Sequence, residues 1–182
     1  MTNLGRSIAT ALIAIAIPAT ASATDRYQRI SWDGVTLQVP ASWVITDNGD
    51  HLSAENPLGS ETLEVTHLIP APHYLALGPS PSDILQNQID HLSPVDMESP
   101  ETYIVRPYQK FDLPCGEPAA YIVHGLGDDE FSISFDVAST NSLYTINFYQ
   151  TGNPLDRLGF YQALVNSART DDFAGSQCRD EV

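Results

Sequence analysis

The chain has 182 residues, with 23 Asp and Glu against 8 Lys and Arg, for a formal net charge of −15. That balance argues against nucleic acid and anionic lipid as partners, since both are held by clustered Lys and Arg. It fits a basic partner, divalent cations, or solubility alone, of which solubility is the simplest reading.

Residues 1–23 read as a secretory signal. Arg6 supplies the positive start, residues 7–17 an apolar run, and Pro18 precedes the small-residue patterns Ala19-Thr20-Ala21 and Ala21-Ser22-Ala23. The run is well short of the roughly 20 apolar residues of a spanning helix, so cleavage after Ala23 is expected rather than a membrane anchor. No cysteine follows the cleavage region, which argues against a lipid-anchored N-terminus. Residues 24–182 then make a single domain of ordinary size, secreted or periplasmic.

Cys115 and Cys178 are the only cysteines. In an oxidising compartment a disulfide between them is the expected state, with two unpaired thiols as the alternative. Closing that loop is worth about 4 kcal/mol in the chain-entropy treatment, before native strain.

In chain order, residues 28–32 and 35–39 flank Asp33-Gly34, the pair that accepts the positive φ of a type I′ turn, and so predict a hairpin. Pro40-Ala41-Ser42-Trp43 ends the second strand. Residues 44–45 and 51–54 around Asp47-Asn48-Gly49-Asp50 predict a shorter hairpin, and residues 61–69 a long strand with Leu63, Val65, His67 and Ile69 on one face. Residues 70–81 form a proline-rich loop. Ser80 is placed to cap a helix that opens with Pro81 and carries Ile84, Leu85, Ile89 and Leu92 on one stripe. Residues 102–113 predict a strand, and Pro107 within it marks an edge or a bulge.

Residues 119–126, 131–138 and 143–150 predict an antiparallel meander, joined by short turns. In the middle run Phe131, Ile133, Phe135 and Val137 alternate with Ser132, Ser134 and Asp136, the period of a sheet with one buried face. A second helix begins near Pro154, with Leu158, Tyr161, Leu164, Val165 and Ala168 inward and Arg169 at its C-terminal end. Residues 171–182 are polar and acidic. The expected fold is α+β: a curved, mainly antiparallel sheet with two packed helices.

Three stretches resemble the PsbP/DcrB-like group of exported domains. They are residues 34–43, a strand ending in Pro40-x-x-Trp43; residues 113–121, Leu-Pro-Cys-Gly-Glu-Pro-Ala-Ala-Tyr; and the ending, in which residues 143–148 precede a helix closing at 164–169. The resemblance implies a sandwich of that type used as a non-catalytic binding module, without a transferable catalytic set. The cysteine pair is not part of that pattern and rests on compartment alone.

Val123-His124-Gly125-Leu126-Gly127 has the look of the oxyanion side of an esterase, but no Gly-x-Ser-x-Gly elbow occurs, and a hydrolase would have to use Ser132 or Ser134. His67 and His73 are too few for a metal centre, which takes three or four ligands. The acidic turns Asp128-Asp129-Glu130 and Asp47-Asn48-Gly49-Asp50 each fall short of the six to eight oxygens that Ca²⁺ takes, and read as solvated turns. The proline-rich loop carries His73, Tyr74, Leu75 and Leu77, where a mere linker would be polar, so it is the candidate interaction loop; packing over the core edge is the competing account.

The expected function is therefore an exported, monomeric binding domain of the cell envelope or secreted fraction, with a protein partner, no cofactor, no metal and no catalytic residues. The alternatives are a secreted hydrolase of unrecognised type, or a small-molecule or cation binder.

Overall fold

The computed structural model describes residues 27–69, 78–91, 102–127 and 129–172. The N-terminal hairpin is β1 (Tyr27–Trp32) and β2 (Val35–Pro40), and its turn has both Asp33 (φ 42°) and Gly34 (φ 88°) in the left-handed region, as a type I′ turn requires. The amide of Trp43 donates to the Pro40 carbonyl (3.0 Å), so the Pro-x-x-Trp motif is a tight turn that drops Trp43 into the core. There follow β3 (Val44–Asp47), β4 (His51–Glu55) and β5 (Glu61–Ile69).

Helix α1 (Pro81–His91) opens with a reciprocal cap: Ser80 Oγ accepts from the Asp83 amide (3.2 Å) while the Asp83 carboxylate accepts from the Ser80 amide (3.1 Å). Leu92, assigned to its stripe from sequence, lies outside the described residues. Then come β6 (Tyr103–Asp112), β7 (Pro118–Gly125), β8 (Glu130–Ala138) and β9 (Leu143–Thr151). Helix α2 (Pro154–Val165) is capped by Asn153, whose side-chain oxygen accepts from the Leu155 amide, and β10 (Arg169–Thr170) closes the described chain's regular structure.

The strands form two sheets rather than one. Seven run β3-β4-β5-β9-β8-β7-β6, all antiparallel, and three run β1-β2-β10. Two sequence expectations need correcting here. Ala168 and Arg169 lie beyond the helix, because Asn166 caps it; Arg169 enters β10 opposite Thr36, although its guanidinium still donates to the Asn166 carbonyl (3.2 Å) at the helix end. The ladder of β5 on β9 also shifts register between His67 and Ile69, so the strict alternation read along that strand breaks at its end. β6 is an edge strand whose register shifts between Ile104 and Arg106 and again between Arg106 and Gln109, the second shift spanning Pro107.

The main core lies between the small sheet with α2 and one face of the large sheet. Leu37 and Val39 of β2 and Tyr161 and Leu164 of α2 pack there with Leu63, Ile133, Phe135, Ile146 and Phe148. Each of these rings or chains fully buried contributes about 1.5–3 kcal/mol. On the opposite face α1 covers a smaller cluster of Leu85, Ala120, Ala138 and Leu143. That face was expected to be solvated. Asp136, on it, is 3% exposed, because the period-two pattern sorts residues between faces without saying what covers each one.

Candidate functional site

At one end of the sandwich the β1–β2 turn, the end of β5, the β8–β9 turn and the two residues after β10 converge. β1 ends on Trp32, so Asp33 stands at the head of the turn and faces His67 on β5. Nδ1 of His67 is 2.7 Å from Asp33 Oδ2, and the imidazole ring lies between Trp32 and Tyr144. The Tyr144 hydroxyl donates to the Asp33 carbonyl (2.9 Å). The amide of Asp171 donates to the Gly34 carbonyl (2.8 Å), and Asp172 Oδ2 accepts from the Asn141 amide (2.8 Å) and the Ser139 hydroxyl (3.2 Å). Backbone and side chain together thus fix Asp33, Asp171 and Asp172 around one open cleft.

The cleft has a volume of about 340 Å³; Asp33, His67, Asn141, Tyr144, Asp171 and Asp172 line it, and among the described residues no Lys or Arg does. Its field is negative. Burial pushes the Tyr144 phenol up, the Ser142 side chain pulls the other way, and the carboxylates of Asp172, Asp33 and Asp171 add to the rise. The wall also holds two buried polar atoms without a hydrogen-bond partner, His67 Nε2 and Asp172 Oδ1. With the carboxylates of Asp33, Asp171 and Asp172 on its wall, the cleft is rich in acceptors. Such a site suits a positively charged, donor-bearing group.

The sequence-predicted residues fall as follows. His124 and Ser132 stand directly opposite each other on β7 and β8, and both are buried. They share no hydrogen bond: His124 Nδ1 has no partner, and burial holds its imidazole below the ordinary histidine range. Ser134 faces Ile122 and Asn147. No base-activated serine is assembled there.

One nitrogen of His67 is satisfied, by a turn residue far away in sequence, and the other is not. In the turn Asp47-Asn48-Gly49-Asp50 the acceptors are used internally: Asp47 Oδ1 accepts from the Gly49 amide (2.8 Å) and Asp50 Oδ1 sits 2.7 Å from His51 Nδ1. Among the described residues no group of three or more His, Cys, Asp or Glu is placed to hold a metal ion. Cys115 is buried in the turn between β6 and β7. Cys178, Asp128 and the candidate loop residues His73, Tyr74, Leu75 and Leu77 lie outside the described residues, as does the signal segment. The convergence of Asp33, His67 and Asp172 left no local signal in the sequence, because three separate segments build it.

No family model matches the chain, and no curated protein matches it in sequence. Among solved structures it is similar to the solution structure of cyanobacterial PsbP from Synechocystis sp. PCC 6803, with a TM-score of 0.55 and 15% identity over 82% of this chain and 95% of that one. A protein from Bacteroides thetaiotaomicron (TM-score 0.42, 10% identity, 75% of this chain and 45% of that one) is more distant. So is a protein of unknown function from Pseudomonas aeruginosa (TM-score 0.34, 11% identity, 75% and 90%). The first likeness shows a PsbP-like α+β fold, as the three sequence stretches implied.

Proposed function

We propose that this PsbP-like chain is an exported, non-catalytic binding domain that docks on a basic segment of another envelope or secreted protein through the cleft at Asp33, His67, Asp171 and Asp172. The observation that carries this reading is the convergence of three carboxylates on one open cleft that, among the described residues, no Lys or Arg lines. Complementary charge of this kind steers encounter and selects partners more than it adds raw affinity. Residues 1–23 act as the cleaved signal, residues 24–182 as one domain, and secretion or a periplasmic location follows. A Cys115–Cys178 disulfide fastens the tail; no described cysteine is a free thiol. The proline-rich stretch of residues 70–81 supplies Tyr74 and Leu75 as apolar contacts to the same partner.

The test is crosslinking in vivo of a tagged, exported copy followed by mass spectrometry, with Asp171→Asn/Asp172→Asn and Tyr74→Ala/Leu75→Ala copies in parallel. One dominant partner, lost in the first variant and weakened in the second, is the expected result. A partner retained at full yield by the Asp variant removes the cleft from the proposal, and no partner in any sample removes the proposal.

A further inference from the structure

Asp136 lies on the face of the large sheet that α1 covers. Its row across the sheet runs Ala120, Asp136, Thr145, and Ala138 and Leu143 beside it pack with Leu85 of α1. Its Oδ1 accepts from the Thr145 hydroxyl (2.6 Å) and its Oδ2 from the Tyr108 hydroxyl (2.8 Å). Every hydrogen-bonding partner is therefore a neutral hydroxyl. β6 faces Asp136 with Tyr108, β7 with Ala120 and β9 with Thr145, and Leu85 of α1 packs on the adjoining Ala120 and Ala138; Lys110, which is basic, bonds to Gln86 of α1 on the exposed side. The charged or titratable groups of α1, Asp83, Asp90 and His91, are exposed.

An ionised carboxylate in apolar surroundings with two neutral donors is costly to bury, and a neutral one is not. Helix α1 itself is lightly held, since Pro81 and Leu85 are its buried residues. We propose that Asp136 makes the docking of α1 pH-dependent, the helix closing on the protonated acid and opening to admit water when the acid ionises. The helix is then a cover over the polar face of β7, β8 and β9. The direction of titration agrees: burial holds the Asp136 carboxyl above its usual range, against the hydrogen bonds from Thr145 and Tyr108. A carboxyl raised by closure binds its proton more tightly in the closed state, so closure is strongest in acid and weakens as pH rises through the raised value. The device does not depend on what the acidic cleft binds.

Hydrogen exchange of the full mature chain from about pH 5 to about pH 8, corrected for intrinsic rates, reads the opening of α1 with α2 as internal reference. The expected result is a several-fold rise in α1 opening with pH in the natural chain, absent in Asp136→Asn, with α2 unchanged. Leu85→Ala sets the signal of an open helix at every pH. Thr145→Val removes one donor to the carboxylate and moves the rise to higher pH, which keeps the test decisive if Asp136→Asn does not fold. A flat profile in the natural chain, an unaltered rise in Asp136→Asn, or an unshifted rise in Thr145→Val overturns the proposal.

Discussion

The imidazole of His67 lies 5.3 Å from the Trp32 ring and 4.5 Å from the Tyr144 ring, centroid to centroid, while its Nδ1 meets the Asp33 carboxylate at 2.7 Å. One side chain of the large sheet thereby holds the hairpin of the small sheet, by packing and by a polar contact at once. The two contributions are separable. The Asp33 side chain is 64% exposed, so its contact with His67 is worth at most about 1 kcal/mol. The ring is largely buried between two aromatics, and its loss leaves a hole.

His67→Ala is therefore expected to cost about 2–4 kcal/mol of stability, and Asp33→Asn, which keeps the positive φ tolerable, less than about 1 kcal/mol. Urea unfolding of both variants checks this. The reverse ranking would make the polar contact, not the packing, the clasp between sheets.

Gly34 and Gly49 share a φ of 88°, yet a Cβ on Gly34 would lie 2.8 Å from the Tyr144 hydroxyl and one on Gly49 would meet nothing within 4 Å. Both alanine variants suffer the left-handed penalty of about 1–2 kcal/mol. Gly34→Ala is expected to cost roughly 1 kcal/mol more, by displacing the hydroxyl that donates to Asp33. The excess should vanish when Gly34→Ala is made in a Tyr144→Phe background, as a double-mutant cycle by thermal unfolding would report.

Glu61 pins α2 to β5. Its carboxylate accepts from Arg157 Nε (2.7 Å), the Tyr161 hydroxyl (2.7 Å) and the Asn56 amide (3.0 Å), and its side chain is 13% exposed. Burial works to raise its titration, but the hydrogen bonds from Tyr161, Arg157 and Asn56 outweigh it and hold the carboxyl below the usual range. A lowered folded value means stability that is present above the ordinary glutamate range and lost as pH falls through the lowered value. Glu61→Gln is expected to cost about 1–3 kcal/mol at neutral pH and to flatten the acid-side loss. Denaturant midpoints at about pH 7 and about pH 3 test it; an acid limb as steep as in the natural chain would assign that loss to other carboxylates.

Asp136 has the opposite sign. Its folded-state carboxyl titrates above the usual range, so it lowers stability as pH rises. Asp136→Asn is expected to raise the stability at pH 8 by about 1 kcal/mol and leave that in mild acid nearly unchanged, since an amide keeps one acceptor for Thr145 without the buried charge. Calorimetry at both pH values decides it; equal shifts would mean that burial of the charge is not what the substitution relieves.

Local patterns carried most of the architecture. Alternation named the strands of the meander, Asp33-Gly34 named the first turn, and Ser80 with Pro81 named the start of α1. What was not legible depends on pairing between distant segments. Nothing near Arg169 announces a two-residue strand, because its partner Thr36 lies in the first hairpin. Nothing near Asp136 announces burial, because the cover comes from α1. The acidic cleft was hidden for the same reason: Asp33, His67 and Asp172 are ordinary turn and strand residues until the sheets stack.

The sheet topology also governs when the chain can finish folding. β5 finds its second neighbour only in β9, with Val65 opposite Ile146, and β2 finds its second in β10, with Val35 opposite Thr170. Until the last third of the polypeptide is available, its first half therefore presents two unpaired strand edges and no closed core. Such non-local pairing is slow to form. A nascent chain of this design cannot close its core until β9 and β10 have been made.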